Sequence, residues 1–188
     1  MVAVVSLAAI GRTVKLEYGE FNDDLKQLTE FQDIDILKIR LVSDSIGGEY
    51  DLVAVTVSPD SIQEQLISKF MPVKLSKDTV EWNVFAKPLS PDSVKIGVLR
   101  TNYMPIIHHV PTKMCILFNY LGQKEFNQME EIPLFAYSQG AEYEFEYNGE
   151  IAKVYQYCEV RDCGKHPSEW GKLFNLPTYV YYVLRPRE

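Results

Sequence analysis

Residues 141–158 have the sequence AEYEFEYNGEIAKVYQYC, which is the clearest structural signal in the chain. Polar and apolar residues alternate on both sides of Asn148-Gly149, and this period of two is typical of β-strands. Asn-Gly is the pair that most readily adopts the positive φ angles of a type I′ turn. The segment therefore predicts a β-hairpin with a two-residue turn.

A turn at Asn148-Gly149 sets the strand register, with Tyr147 opposite Glu150 and the other pairs following in step. One face is then aromatic and aliphatic, and we expect it to pack on the core; it carries Tyr143, Phe145, Tyr147, Ala152 and Val154. The opposite face combines glutamates, Lys153 and tyrosines. We predict that a protein partner binds this second, exposed face at Glu142, Glu144, Tyr155 and Tyr157.

The composition of the whole chain supports a mainly β fold. Of its 188 residues, 46% are hydrophobic, which is ample for a core. Twelve Tyr, nine Phe and two Trp favour strands over helices. Strand-like segments recur at a spacing of roughly 10–15 residues with Pro, Gly or Asn between them. We predict one β-rich domain over residues 1–188, an antiparallel β-sandwich or open barrel with one or two short helices.

Local signals place the individual elements. Asn22 or Asp23 is expected to cap a helix over 23–31, and Ser58-Pro59-Asp60 predicts a helix start before 59–70. The tetrapeptide SPDS occurs at 58 and again at 90, and we interpret it as one turn chemistry used twice. Besides the hairpin, strands are predicted at 2–7, 13–18, 34–42, 50–57, 73–75, 79–86, 93–100, 113–121, 132–137 and 178–184.

The charge distribution limits the class of partner. The formal net charge of −7 argues against a protein that coats nucleic acid, because such a protein needs a basic surface. Residues 61–113 nevertheless hold seven bases against four acids, whereas both flanking regions are acidic. This local basic region is compatible with a groove that binds nucleic acid. It equally favours contact with the acidic regions of the same chain or of a neighbouring copy.

The cysteines indicate the compartment. Cys115, Cys158 and Cys163 make an odd count, and the chain contains no Asn-x-Ser/Thr acceptor site, so we expect a reducing, cytoplasmic setting. The apolar N-terminus lacks the basic start of a signal peptide, and an N-terminal strand is the preferred interpretation. No apolar run approaches the ~18 residues of a membrane span, so no transmembrane segment is predicted.

One motif resembles a catalytic site. The sequence AYSQG at 136–140 resembles the G-x-S-x-G nucleophile elbow, in particular the G-Y-S-Q-G form of cutinase-like esterases, with Ala136 in place of the first glycine. Asp162 and His166 follow Ser138 in the hydrolase order. The resemblance implies a Ser138/Asp162/His166 hydrolase, in which a helix should follow the serine. The hairpin predicted directly after Gly140 is inconsistent with that helix.

A second pattern suggests metal binding. Cys158, Cys163 and His166 are spaced like part of a zinc site, with a further ligand needed from elsewhere. A paired C-x2-C knuckle is absent, and the adjacent His108-His109 would point to opposite faces of a strand. We therefore predict neither metal nor cofactor, and we keep a Cys/His metal-binding protein as an alternative.

The C-terminal segment 178–184 is aromatic on both faces, which predicts a strand that is central in a sheet or buried against a partner chain. Because the sequence shows no coherent catalytic constellation, we expect a non-enzymatic protein that binds a protein partner or assembles with its own copies into a homo-oligomer. A scaffold, coat or matrix protein, of the kind that viruses encode, fits this profile. The alternative is the hydrolase or the Cys/His metal protein described above.

Overall fold

The computed structural model describes residues 13–44, 48–69, 72–75, 79–99, 106–110, 117–122, 124–127 and 130–187. The β-strands found there are β1 (Thr13–Gly19), β2 (Asp35–Ser43), β3 (Glu49–Val57), β4 (Ile62–Leu66), β5 (Val73–Lys74), β6 (Val80–Ser90), β7 (Ser93–Leu99), β8 (Ile106–His108), β9 (Leu117–Asn119), β10 (Glu125–Asn127), β11 (Ile132–Ser138), β12 (Ala141–Tyr147), β13 (Glu150–Gln156) and β14 (Tyr179–Pro186). The short helices are α1 (Asp23–Phe31), α2 (Tyr157–Asp162) and α3 (Trp170–Leu173), with a 3₁₀ turn at Pro167–Glu169. The strand predicted at 2–7 lies outside the described residues.

The strands form two large antiparallel sheets and a separate hairpin. The first sheet has the order β10-β1-β2-β6-β7-β8, and the second has the order β4-β3-β14-β11-β9 with β5 added to β3. Among the described residues, strands β12 and β13 pair only with each other. One cluster of buried side chains draws on both large sheets. The predicted mainly β, antiparallel, sandwich-like fold is thus confirmed.

The last strand lies in the middle of the second sheet. β14 pairs with β3 on one side and with β11 on the other, and every residue from Tyr179 to Leu184 is buried. A strand covered on both faces needs apolar side chains at successive positions. The aromatic C-terminal segment is therefore a central strand of its own sheet, which confirms the first of the two interpretations.

Hydroxyl groups of buried tyrosines connect the two large sheets. Tyr18 on β1 donates a hydrogen bond to the carbonyl oxygen of Leu134 on β11 at 2.8 Å. Tyr137 on β11 donates to Asp35 at the start of β2 at 2.7 Å. A tyrosine ring fills apolar space, and its hydroxyl needs a polar partner. These hydrogen bonds supply such partners, so tyrosine is suited to this core.

Of the two predicted helices, only the first is present. Asn22 caps α1 by accepting a hydrogen bond from the backbone N–H of Leu25 at 2.9 Å, as expected. The helix predicted over 59–70 is wrong, because that segment holds strand β4, which pairs with β3. Ser58 and Ser61 exchange backbone hydrogen bonds across the intervening residues, so Pro59 sits in a hairpin turn and not at a helix start.

The repeated SPDS tetrapeptide has the same structural role at both places. It joins β3 to β4 and β6 to β7, and in each case the two serine hydroxyls hydrogen-bond to each other, at 2.8 Å between Ser58 and Ser61 and at 2.7 Å between Ser90 and Ser93. The interpretation of one turn chemistry used twice is correct. The C-terminal helices α2 and α3 were not predicted.

Candidate protein-binding site

The hairpin 141–156 forms with the predicted register. Tyr147 pairs with Glu150, Phe145 with Ala152 and every other pair in step. Asn148 and Gly149 have φ angles of 53° and 83°, which are those of a type I′ turn. At the base of the hairpin, Gly140 allows a close approach, since a Cβ there would lie 2.9 Å from the carbonyl carbon of Gln156.

The aromatic face of the hairpin does not pack on the core, which corrects the sequence prediction. The exposed fraction is 49% for Phe145 and 66% for Tyr147, and Tyr143 and Val154 are exposed as well. The reason is topological, because β12 and β13 pair with neither large sheet and only Ala141 at the base is buried. Both faces of the hairpin are therefore open to a partner.

The glutamate face is partly paired within the hairpin. Glu142 accepts hydrogen bonds from Lys153 and from the Tyr155 hydroxyl, the latter at 3.0 Å, and Lys153 also lies 3.5 Å from Glu144. The Lys153 ammonium, and then the Tyr155 hydroxyl, hold the pKa of Glu142 below its usual value. These contacts bring the three predicted residues together. Glu142 and Glu144 are exposed, and Tyr155 is half-buried.

Tyr157, the fourth residue of the predicted partner face, lies just beyond the end of the hairpin. Strand β13 ends at Gln156, and Tyr157 is the first residue of α2, where it is half-buried. The same helix anchors the base of the hairpin, because the hydroxyl of Tyr143 donates a hydrogen bond to Glu159. The partner face at Glu142, Glu144, Tyr155 and Tyr157 stays a prediction, with the first three residues on the hairpin and Tyr157 at the start of α2.

The most open part of the hairpin is its tip, residues 145–151. Ile151 is 74% exposed and lies opposite Glu146. The side chains of Glu146 and Glu150 make no ion pair or hydrogen bond within the described parts of the chain, whereas Lys153 is already paired with Glu142 and Glu144. The hairpin tip thus combines exposed apolar side chains with two unneutralised carboxylates, a combination that the sequence prediction missed.

Ser138, the proposed hydrolase nucleophile, is buried at the end of β11. Its Oγ accepts a hydrogen bond from the side-chain amide of Asn119 at 2.8 Å and donates to the carbonyl oxygen of Gln139 at 3.1 Å. A serine hydroxyl has one proton, and here the backbone accepts it. β12 begins at Ala141, where a nucleophile elbow needs a helix. These contacts give Ser138 a structural role.

Two other members of the suggested sites, His166 and Cys163, make hydrogen bonds to nearby residues. Nδ1 of His166 accepts a hydrogen bond from the backbone N–H of Ser168 at 3.2 Å and so caps the 3₁₀ turn. The Cys163 thiol donates to the carbonyl oxygen of Val160 at 3.1 Å, and Cys158 is exposed. Within the described residues, no three His, Cys, Asp or Glu side chains are grouped in a way that could hold a metal ion.

Of the two adjacent histidines only His108 lies on a strand, because β8 ends there. His108 is buried, while His109 is exposed. Nε2 of His108 is hydrogen-bonded to the Tyr182 hydroxyl at 2.8 Å. Burial, together with the charge of His109, lowers the pKa of His108 to about 4, so the imidazole is neutral at physiological pH.

No helix in the described part of the chain is long and apolar enough to cross a membrane. Comparison with protein-family models, with curated proteins and with solved structures gives no match for this chain.

Proposed function

We propose that this protein is a non-enzymatic protein-binding protein and that the hairpin 141–156 is its binding element. The observation that carries this proposal is the open aromatic face of a two-stranded sheet that pairs with neither large sheet. Aromatic side chains are enriched at protein–protein interfaces because they bury a large apolar area while losing few rotamers. A hairpin of this composition gains stability when a partner covers it.

The structure of the second large sheet is compatible with a role in assembly. Arg185 at the end of β14 donates to both oxygens of Glu64 on β4 and to Glu131 before β11, which ties three neighbouring segments of the second sheet together. A rigid sandwich that presents one hairpin suits a scaffold, coat or matrix protein, including a viral one. The free thiols of Cys158 and Cys163 support the cytoplasmic setting that we propose with it.

The test compares the wild-type protein with the double variant Phe145→Ser/Tyr147→Ser, which keeps the turn and removes two exposed rings of the hairpin. Both proteins are immobilised and exposed to an extract of the cells that make the protein, and self-association is followed in parallel. We expect the wild type to retain at least one stoichiometric protein, its own copies included. We expect the variant to bind that protein at least ~10-fold more weakly, since central aromatic residues contribute ~2 kcal/mol or more.

A matched control is Leu28→Ser/Phe31→Ser, which removes two exposed apolar side chains from α1. This control should bind like the wild type. If the hairpin variant retains every protein that the wild type retains, the hairpin is not the binding element and the proposal is wrong.

A further inference from the structure

A second surface of the molecule matches the hairpin tip in chemistry. On the outer side of the first sheet, a groove of about 200 Å³ is lined by Ile34, Phe85, Lys87, Lys95, Gly97 and Leu99. Strand pairing places Lys87 directly opposite Lys95 and Phe85 opposite Gly97. Because Gly97 has no side chain, the face of the sheet stays open beside Phe85. We call this surface the lysine groove.

The two lysines of the groove differ from the other basic residues of the first sheet. Neither ammonium makes an ion pair or a hydrogen bond within the described residues, whereas other lysines and arginines of the same sheet are paired: Lys38 with Glu81 at 3.5 Å, Lys15 with Glu17 at 2.9 Å and Arg40 with Glu81 at 3.5 Å. The apolar surroundings of the groove are also open, since Leu99 is 49% exposed and the exposed Ile107 on β8 pairs with Lys95. The groove is therefore both basic and apolar.

The hairpin tip is complementary to the lysine groove in charge and in size. Within the part of the chain that the structure describes, the tip carries two unpaired carboxylates, Glu146 and Glu150, and the groove carries two unpaired ammonium groups. A cavity of roughly 150 Å³ holds one benzene ring, so the groove can receive the ring of Phe145 or Tyr147. Unlike charges across an interface set both its register and the choice of partner.

We propose that the hairpin tip of one copy binds in the lysine groove of a second copy of this chain, an inference that rests on the proposed function of the hairpin. The aromatic ring enters between Phe85 and Leu99. Glu150, on the same hairpin face as the ring, pairs with one of the two lysines, and Glu146 reaches the other from the opposite face of the tip. Two hairpins are not expected to bind each other directly through their glutamate faces, because both carry the same charge. A second hairpin is therefore a poorer partner for the tip than the lysine groove.

The test is a reciprocal charge exchange. Lys87→Glu/Lys95→Glu places an acidic groove against the acidic tip, and Glu146→Lys/Glu150→Lys places a basic tip against the basic groove. Each variant alone should associate at least ~10-fold more weakly than the wild type. A 1:1 mixture should regain association, because each tip then meets a groove of opposite charge. Sedimentation velocity at ~100 μM protein and low salt measures this, since a micromolar contact is populated there.

Lys165→Glu/Lys172→Glu is the matched control, because it makes the same change in net charge at two exposed lysines outside the groove. It should sediment like the wild type, and circular dichroism should show all the variants folded. A monomeric wild type, or a mixture no more associated than its components, would overturn the inference. The proposed function is tested separately, and it is wrong if Phe145→Ser/Tyr147→Ser leaves all binding intact.

Discussion

At the scale of single residues, His108 shows how this core accommodates a polar side chain. Its ring lies edge-on to that of Tyr182, with centroids 5.7 Å apart, and the two side chains join the edge strand of one sheet to the central strand of the other. The same burial that lowers the pKa of His108 raises that of Tyr182, because an apolar surrounding disfavours the charged form of each group. The pair is thus a neutral cross-sheet hydrogen bond at neutral pH.

This pair makes stability depend on pH. His108 has a pKa of about 4 in the folded protein against 6.5 when unfolded, so the unfolded chain takes up the proton first as pH falls. The stabilisation by the neutral imidazole is complete above pH 6.5 and is lost between about pH 6.5 and 4. From pH 7 to 5, we expect the free energy of unfolding to fall by about 2 kcal/mol through this residue alone. Urea unfolding at both pH values measures it.

His108→Gln provides the comparison, because its amide can still hydrogen-bond to Tyr182 and does not titrate. The variant should lose about 2 kcal/mol less than the wild type between pH 7 and 5. Equal losses in the two proteins would show that His108 is not the group responsible.

At the scale of elements, the sequence pattern predicted the hairpin pair by pair, because the Asn148-Gly149 turn and the alternation of side chains both depend only on local structure. It could not predict whether either face of the hairpin packs on the core. An apolar face such as that of Phe145 looks the same whether it is buried or awaits a partner, and the answer depends on long-range strand pairing. The helix prediction at Ser58-Pro59 failed for a related reason, since the same residues suit a helix start and a hairpin turn.

The hairpin should be less stable than the rest of the molecule, because an isolated two-stranded sheet is marginal in water. Gly149 has a φ of 83° with no atom near its missing side chain, so Gly149→Val adds backbone strain and no clash. A strain of about 1–2 kcal/mol should speed hydrogen exchange of the amides of β12 and β13 by roughly 5–30-fold. The amides of the two large sheets should keep their wild-type rates.

Gly164→Val is the matched control, since Gly164 also has a positive φ of 64° with open space around it but lies between α2 and the 3₁₀ turn. It should leave the exchange of the hairpin amides unchanged. If Gly149→Val accelerated exchange throughout both large sheets, the hairpin would be part of the same cooperative unit as the core.

At the scale of the whole molecule, the chain carries two different surfaces, the hairpin tip and the lysine groove, and the proposed contact uses one of each. In such a contact, the hairpin tip of each copy binds the groove of another copy, and its own groove binds another copy's tip. A self-complementary patch instead joins two copies through the same surface on each. The uneven charge of the sequence bears on this contact, because Lys87 and Lys95 belong to the basic region 61–113, whereas Glu146 and Glu150 belong to the acidic region 114–188.

A copy whose groove can bind a tip, but whose own tip cannot bind a groove, should therefore interrupt assembly. Phe145→Ser/Tyr147→Ser keeps Lys87 and Lys95, so it occupies the tip of a wild-type copy and offers no tip in return. When the variant is added in excess to fluorescently labelled wild type, the sedimentation coefficient of the label should decrease towards that of smaller assemblies. The variant that also carries Lys87→Glu/Lys95→Glu can neither give nor receive a tip and should leave the labelled wild type unchanged. An identical effect of the two variants would show that the groove does not receive the tip.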